Sequence, residues 1–209
     1  MLDCMKPIES YNVCFLGRTG NGKTSLINAL WGTTFDTNPL VSCTTRMYSV
    51  TVMDDTPTGK EGLTAYDVPG IGEFSSDSKY ERYYQHVVSI ADCIVLVTTF
   101  DKTDAPAQRL LIRLKPFLDK DKDVKFIIAL NHIDSTIITD TKREYEPWNS
   151  ETNEPTEKCV QNIAERISII HKRFDNIFLP FEVVPVCAMR HYGINKLKTL
   201  IKAENHEGK

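Results

Sequence analysis

The run Gly17-Arg18-Thr19-Gly20-Asn21-Gly22-Lys23-Thr24 packs three glycines, a lysine and a hydroxyl into eight residues and fits the pattern G-x-x-x-x-G-K-[ST]. Its glycines let the backbone turn tightly, with N–H groups pointing into a concavity that suits an anion. The run sits between apolar residues 12–16 and the helix-like run that begins at Ser25, so a bound phosphate would lie at a helix N-terminus. Residues 17–25 therefore form a candidate phosphate cradle. Lys23 would reach the terminal phosphates of a nucleotide, and the Thr24 hydroxyl would be a ligand of Mg²⁺. At Asp67-Val68-Pro69-Gly70 a carboxylate closes a strand and could hold the same ion through its water shell, and Gly70 would offer a backbone N–H to the terminal phosphate. In Asn131-His132-Ile133-Asp134, the Asp134 carboxylate can accept from the ring N–H and exocyclic amine of guanine, a donor pair that adenine lacks.

These groups need elements to position them. Apolar, β-branched runs at 12–16, 93–97, 124–130 and 181–186 read as buried strands, and 47–53 with 63–67 as a close-set, hairpin-like pair. Helical periodicity marks four more segments. One is capped by Ser76, Asp77 or Ser78 and carries Tyr80, Tyr83, Tyr84, Val87, Val88 and Ala91. A second, 106–118, carries Leu110, Leu111, Leu114, Phe117 and Leu118, with Pro116 late. The third, 157–174, carries Val160, Ile163, Ala164, Ile167, Ile170 and Phe174, and the last closes the chain through Leu197, Leu200 and Ile201. Residues 135–156 are polar and irregular, a long loop. Strands alternating with helices imply an α/β fold in three layers: a mostly parallel six-stranded sheet with one antiparallel edge strand and helices on both faces. Ligands of such sheets bind off the carboxyl ends of the strands. The loops at 17–24, 67–72, 131–134 and 187–189 all lie at such ends.

Composition bounds the alternatives. The 209 residues are 41% hydrophobic and 25% charged, enough for one domain with a sizeable core. A formal charge of −3 lacks the cationic excess that nucleic-acid backbones draw on, so nucleic acid is not assumed as a partner. Six scattered cysteines include no C-x-x-C pair; Cys14, Cys93 and Cys187 read as small buried hydrophobes in a reducing compartment. The start carries no secretory pattern and no run approaches a membrane span, which gives a cytoplasmic expectation.

The stretches GRTGNGKT at 17–24, TTR at 44–46, DVPG at 67–70, NHID at 131–134 and CAM at 187–189 together resemble the translation-factor-related P-loop GTPases, most closely their Era-like branch. Residues 67–104 also look like small bacterial Era-like GTPases akin to the immunity-related GTPases. The resemblance implies a Ras-like P-loop NTPase fold, with 1–10 a lead-in, 11–203 a GTP-binding domain and 204–209 a tail. It implies GTP and GDP as ligands and Mg²⁺ as cofactor. Residues Gly17, Arg18, Thr19, Gly20, Asn21, Gly22, Lys23, Thr24 and Ser25 would hold the phosphates. Thr45 matches the switch threonine that caps Mg²⁺ and senses the terminal phosphate, with Thr44 the alternative if the register shifts by one. Thr24, Thr45 and Asp67 form the metal set, and Lys23, Thr45 and Gly70 the catalytic set. Asn131, His132 and Asp134 match the base-reading motif. Cys187, Ala188 and Met189 stand where Ser-Ala-Lys is usual, the alanine N–H contacting the guanine carbonyl.

Three departures shape the expected activity. His132 stands for a lysine whose stem packs on the base, and an imidazole can stack there too. Cys187 replaces a serine and weakens a loop-bracing hydrogen bond. Ile71 follows Gly70 where Ras-like members place the glutamine that orients water, which an apolar chain cannot do. Slow GTP hydrolysis is expected, with water positioned by backbone, by Glu73 or by a partner. The alternatives are a nucleotide-dependent assembly module with negligible turnover and a P-loop kinase. A protein effector or activator is implied without being identified, a nucleotide-dependent homodimer is compatible with the resemblance, and Era's RNA-linked role is not carried over.

Overall fold

Hydrophobic runs five to eight residues long, separated by amphipathic helices, leave the chain one economical solution: strands side by side with helices covering both faces. The computed structural model describes residues 9–37, 47–53, 56–57, 59–60, 62–70, 78–102, 104–135 and 146–204. In chain order these form β1 (Ser10–Gly17), α1 (Lys23–Trp31), β2 (Tyr48–Val52), β3 (Gly62–Asp67), α2 (Ser78–Ile90), β4 (Cys93–Thr98), α3 (Ala105–Leu114), β5 (Lys125–Leu130), a short ribbon of β6 (Trp148–Asn149) and β7 (Glu154–Pro155), α4 (Glu157–Phe174), β8 (Glu182–Pro185) and α5 (Ile194–Lys202). The six-stranded sheet runs β2-β3-β1-β4-β5-β8. All its pairings are parallel except β2 with β3, the antiparallel edge.

Alternation along the central strands sends side chains to two cores. Cys14, Leu16, Ile94, Leu96 and Ile128 face α2, α3 and α4. Val13, Phe15, Val95, Val97 and Ile127 face α1 and α5 through Leu26, Ile27, Leu197 and Ile201. The three-layer expectation is borne out. Cys14, Cys93, Cys159 and Cys187 are buried free thiols.

Two helical readings and one loop reading need correction. The α3 helix ends at Leu114 and a 3₁₀ turn follows at Lys115–Phe117, because Pro116 has no N–H to continue the ladder. Phe117 is consequently exposed rather than in the stripe. On α4 the buried face is Cys159, Ile163, Arg166, Ile170 and Phe174, whereas Val160 and Ala164 face outward. The loop 135–156 is also not wholly irregular, since β6 and β7 pair antiparallel within it.

Candidate functional site

β1 delivers the chain into the glycine-rich loop at the carboxyl edge of the sheet, and the loop closes on α1. Gly22 turns there with φ of 81°, and any Cβ on it would come within 2.5 Å of Asn131 Nδ2 and 2.9 Å of His132 Nε2. The 131–134 turn is therefore packed directly on the glycine-rich loop. Lys23 is 6% exposed, and its ammonium curls back over the loop to donate to Gly17 O (3.2 Å) and Arg18 O (3.5 Å). Asn21 turns inward and donates to Val97 O (2.7 Å), so its side chain braces the loop against β4. Arg18, Thr19, Gly20 and Ser25 line the rest of the turn at intermediate or full exposure.

The metal expectation rests on Thr24 and Asp67. β3 ends on Asp67, which is buried, and the Thr24 hydroxyl donates to its Oδ2 at 2.6 Å. A hydroxyl and a carboxylate side by side are the hard oxygen donors that Mg²⁺ prefers, so these residues fit that ion. Gly70 follows two residues after Val68, and a Cβ there would collide with the hydroxyl and main chain of Thr19. Its lack of a side chain thus lets the 68–70 turn lie flat on the phosphate loop. Tyr84 from α2 donates to Pro69 O at 2.5 Å and pins that turn. The expectations placed on Thr44, Thr45, Arg46, Ile71 and Glu73 lie outside the described residues.

At the far end of the rim, Asn131 is fully buried and ties three loops together. Its Nδ2 donates to Asn21 O at 2.9 Å, and its Oδ1 accepts from Ala188 N at 3.3 Å. His132 adopts a left-handed φ of 57° beside the phosphate loop. Burial holds its pKa below the ordinary 6.5, against the opposing pull of Asp134, so the ring is neutral at neutral pH. A cleft lined by Phe100, Asp101, His132 and Ser135 opens beside it. Burial pushes the Cys187 thiol up to about 11, which keeps it protonated. Met189 extends into solvent at 87% exposure.

Other residues of the site carry no local sequence signal. Lys102, from the loop after β4, donates to Thr19 O at 2.6 Å and adds a second cation to the phosphate loop. That loop is anchored by Asp104, 2% exposed, which takes two hydrogen bonds from Arg166 on α4 (2.8 and 2.9 Å), one from Arg173 (3.1 Å) and one from Thr98 (3.0 Å). Arg190 donates to Asp134 Oδ2 at 3.2 Å. The rule that ligands meet the carboxyl ends of strands points to the loop after β4 as well, and was the one signal that could have flagged Lys102.

Comparison with known proteins gives the family and the fold. A family described as "50S ribosome-binding GTPase" matches residues 12–132, more than half of the chain. No curated protein matches the chain significantly. Among solved structures, a bacterial selenocysteine-specific elongation factor, EF-Sec, superposes with a TM-score of 0.60 at 18% identity, covering 93% of this chain and 28% of its own. A variant of S. thermophilus NFeoB bound to GDP and AlF4⁻ gives 0.55 at 19% identity, covering 91% and 63%. A dimerization-deficient mutant of Toc33 from Arabidopsis thaliana gives 0.61 at 16% identity, covering 92% and 83%. The chain spans less than two thirds of the length of the first two, and at these identities the likeness is one of fold.

Proposed function

The chain belongs to the 50S ribosome-binding GTPase family, and we propose that it is a GTP-binding switch that hydrolyses GTP to GDP and phosphate with Mg²⁺ at a slow intrinsic rate. Within the translation-factor-related class, the loops GRTGNGKT, DVPG, NHID and CAM favour the Era-like branch.

The observation that carries this reading is the convergence of four loops at one rim. They are linked by Thr24 to Asp67, by Asn131 to Asn21 and by Ala188 to Asn131. At the phosphate end, Lys23, its loop N–H groups and the N-terminus of α1 oppose the negative charge that spreads over the transferring phosphoryl group. Thr24, Asp67 and Thr45 would hold Mg²⁺, which supplies further charge neutralisation between the terminal phosphates. At the base end, Asp134 accepts the paired donors of guanine while Asn131 keeps the base-reading turn on the phosphate loop.

The hydrolytic step is attack of water on the terminal phosphorus with release of GDP, and no glutamine at position 71 orients that water. Multiple-turnover phosphate release from saturating GTP tests the reading. A rate on the order of 10⁻⁴ per second or lower is expected, at or below that of unassisted members which carry the glutamine. Ile71 is also the feature that favours the second reading, an assembly module that binds GTP without turning it over. A rate equal to that of buffer, with GTP still bound, would establish the module in place of the hydrolase.

A further inference from the structure

We propose that Arg190 is a resident counter-ion of the base-reading carboxylate, one that guanine must displace and that thereby lowers the affinity for guanine nucleotides; this rests on the nucleotide reading above. The observation is a three-part stack at the mouth of the base site. Arg190 Nε donates to Asp134 Oδ2 at 3.2 Å, and the same guanidinium lies over the ring of Trp148, 4.9 Å from its centroid. The ion pair is partly open to solvent, at 36% and 20% exposure for the two side chains.

The guanidinium and the base compete for one atom. Guanine presents two parallel N–H donors, which a carboxylate satisfies with both oxygens at once. One of those oxygens already accepts from Arg190. Arg190 can surrender the oxygen without being stranded, because the aromatic face remains beneath it. That face is fixed. Trp148 is buried, its Nε1 donates to Asn153 Oδ1 (3.1 Å), and its ring meets Tyr192 edge-on at 5.4 Å. Asn153 in turn donates to Arg190 O at 3.2 Å, so the β6–β7 ribbon and the 187–192 loop move as one piece. Before the base arrives, the ion pair keeps Asp134 satisfied; afterwards the guanidinium rests on the indole. The ribbon therefore senses whether the base site is filled.

Trp31 and Trp148 are the two tryptophans, so W31F leaves Trp148 as the sole reporter. GDP is titrated into W31F and into W31F carrying Arg190→Gln, following indole emission and heat. We expect GDP to shift Trp148 emission in W31F alone, and the Arg190 substitution to tighten GDP binding about two- to fivefold, the scale of a partly exposed ion pair. In an Asp134→Asn background, which removes the ion pair, the same substitution should give no tightening towards XDP. Unchanged or weaker GDP binding in the Arg190 variant, with W31F binding GDP normally, overturns this inference and leaves the nucleotide reading standing. Failure of W31F and the unsubstituted chain alike to bind GDP takes both down.

Discussion

The two ends of the sheet use the same polar side chains to opposite purpose. At the amino end of β4, Asp92 accepts from the Asn12 backbone (2.8 Å) and from Lys60 (2.9 Å), and pairs with Lys122 at 3.1 Å. Burial tends to raise its pKa, but these partners outweigh it and hold the carboxyl below the usual range. Cation faces anion there, and the start of β1 is tied to the residues that precede β3, β4 and β5. At the carboxyl end, the ammonium groups of Lys23 and Lys102 rest on main-chain carbonyls of the phosphate loop, Asp67 sits against a hydroxyl, and Asp134 against a displaceable guanidinium. Three cations and two carboxylates share that rim. An arrangement of this kind gains from a ligand that is anionic at one end and a hydrogen-bond donor at the other. The amino end has nothing to gain from one.

The largest break of this contrast is Lys23→Ala. Removing a buried cation from the phosphate cradle should cost about 2–5 kcal/mol of GDP binding, roughly thirtyfold to several thousandfold in Kd, with the melting temperature kept. Calorimetric titration beside thermal unfolding checks both halves. Asp134→Asn should exchange partners at the other end of the ligand: the amide donates where the carboxylate accepted, so XDP should displace labelled nucleotide better than GDP does. A variant that still prefers GDP contradicts the placing of the base.

Asp92→Ala sharpens the contrast from the closed end. It should destabilise the fold by about 1–3 kcal/mol, read as a lower denaturant midpoint, while GDP affinity stays put. Lost GDP affinity there would mean that the two ends are not independent. The smallest effect is expected at His132. Its folded pKa lies below the ordinary 6.5, so the folded state binds this proton less readily than the unfolded chain does. Its contribution is fully present above 6.5 and is lost as pH falls through the folded value. The unsubstituted chain should therefore lose more stability than His132→Asn between pH 7.5 and 5.5, measured by thermal unfolding at the two pH values.

What the sequence made legible follows from the range of the interactions. The phosphate loop, the Asp67 turn and the base-reading turn are contiguous patterns, and each lies where a buried run ends, so periodicity placed both the sheet and its functional edge. On α4, Val160 and Cys159 are neighbours with rival apolar stripes, and the helix buries the one that contains Arg166. A charge on the inward face counts against that stripe until its partner is known. The partner is Asp104, sixty-two residues away. Lys102 and Arg190 were missed for the same reason: each acts on a group that only the tertiary fold brings close.

The account turns on one end of the sheet being the ligand end. Amide chemical shifts of the ¹⁵N-labelled chain, followed as GDP and Mg²⁺ are added, test this most directly. The account predicts large shifts at 17–25, 67–70, 102, 131–134 and 187–190, with Asn12, Lys60, Asp92 and Lys122 unmoved. Shifts centred on the Asp92 end, or a spectrum that GDP leaves unchanged, would contradict it.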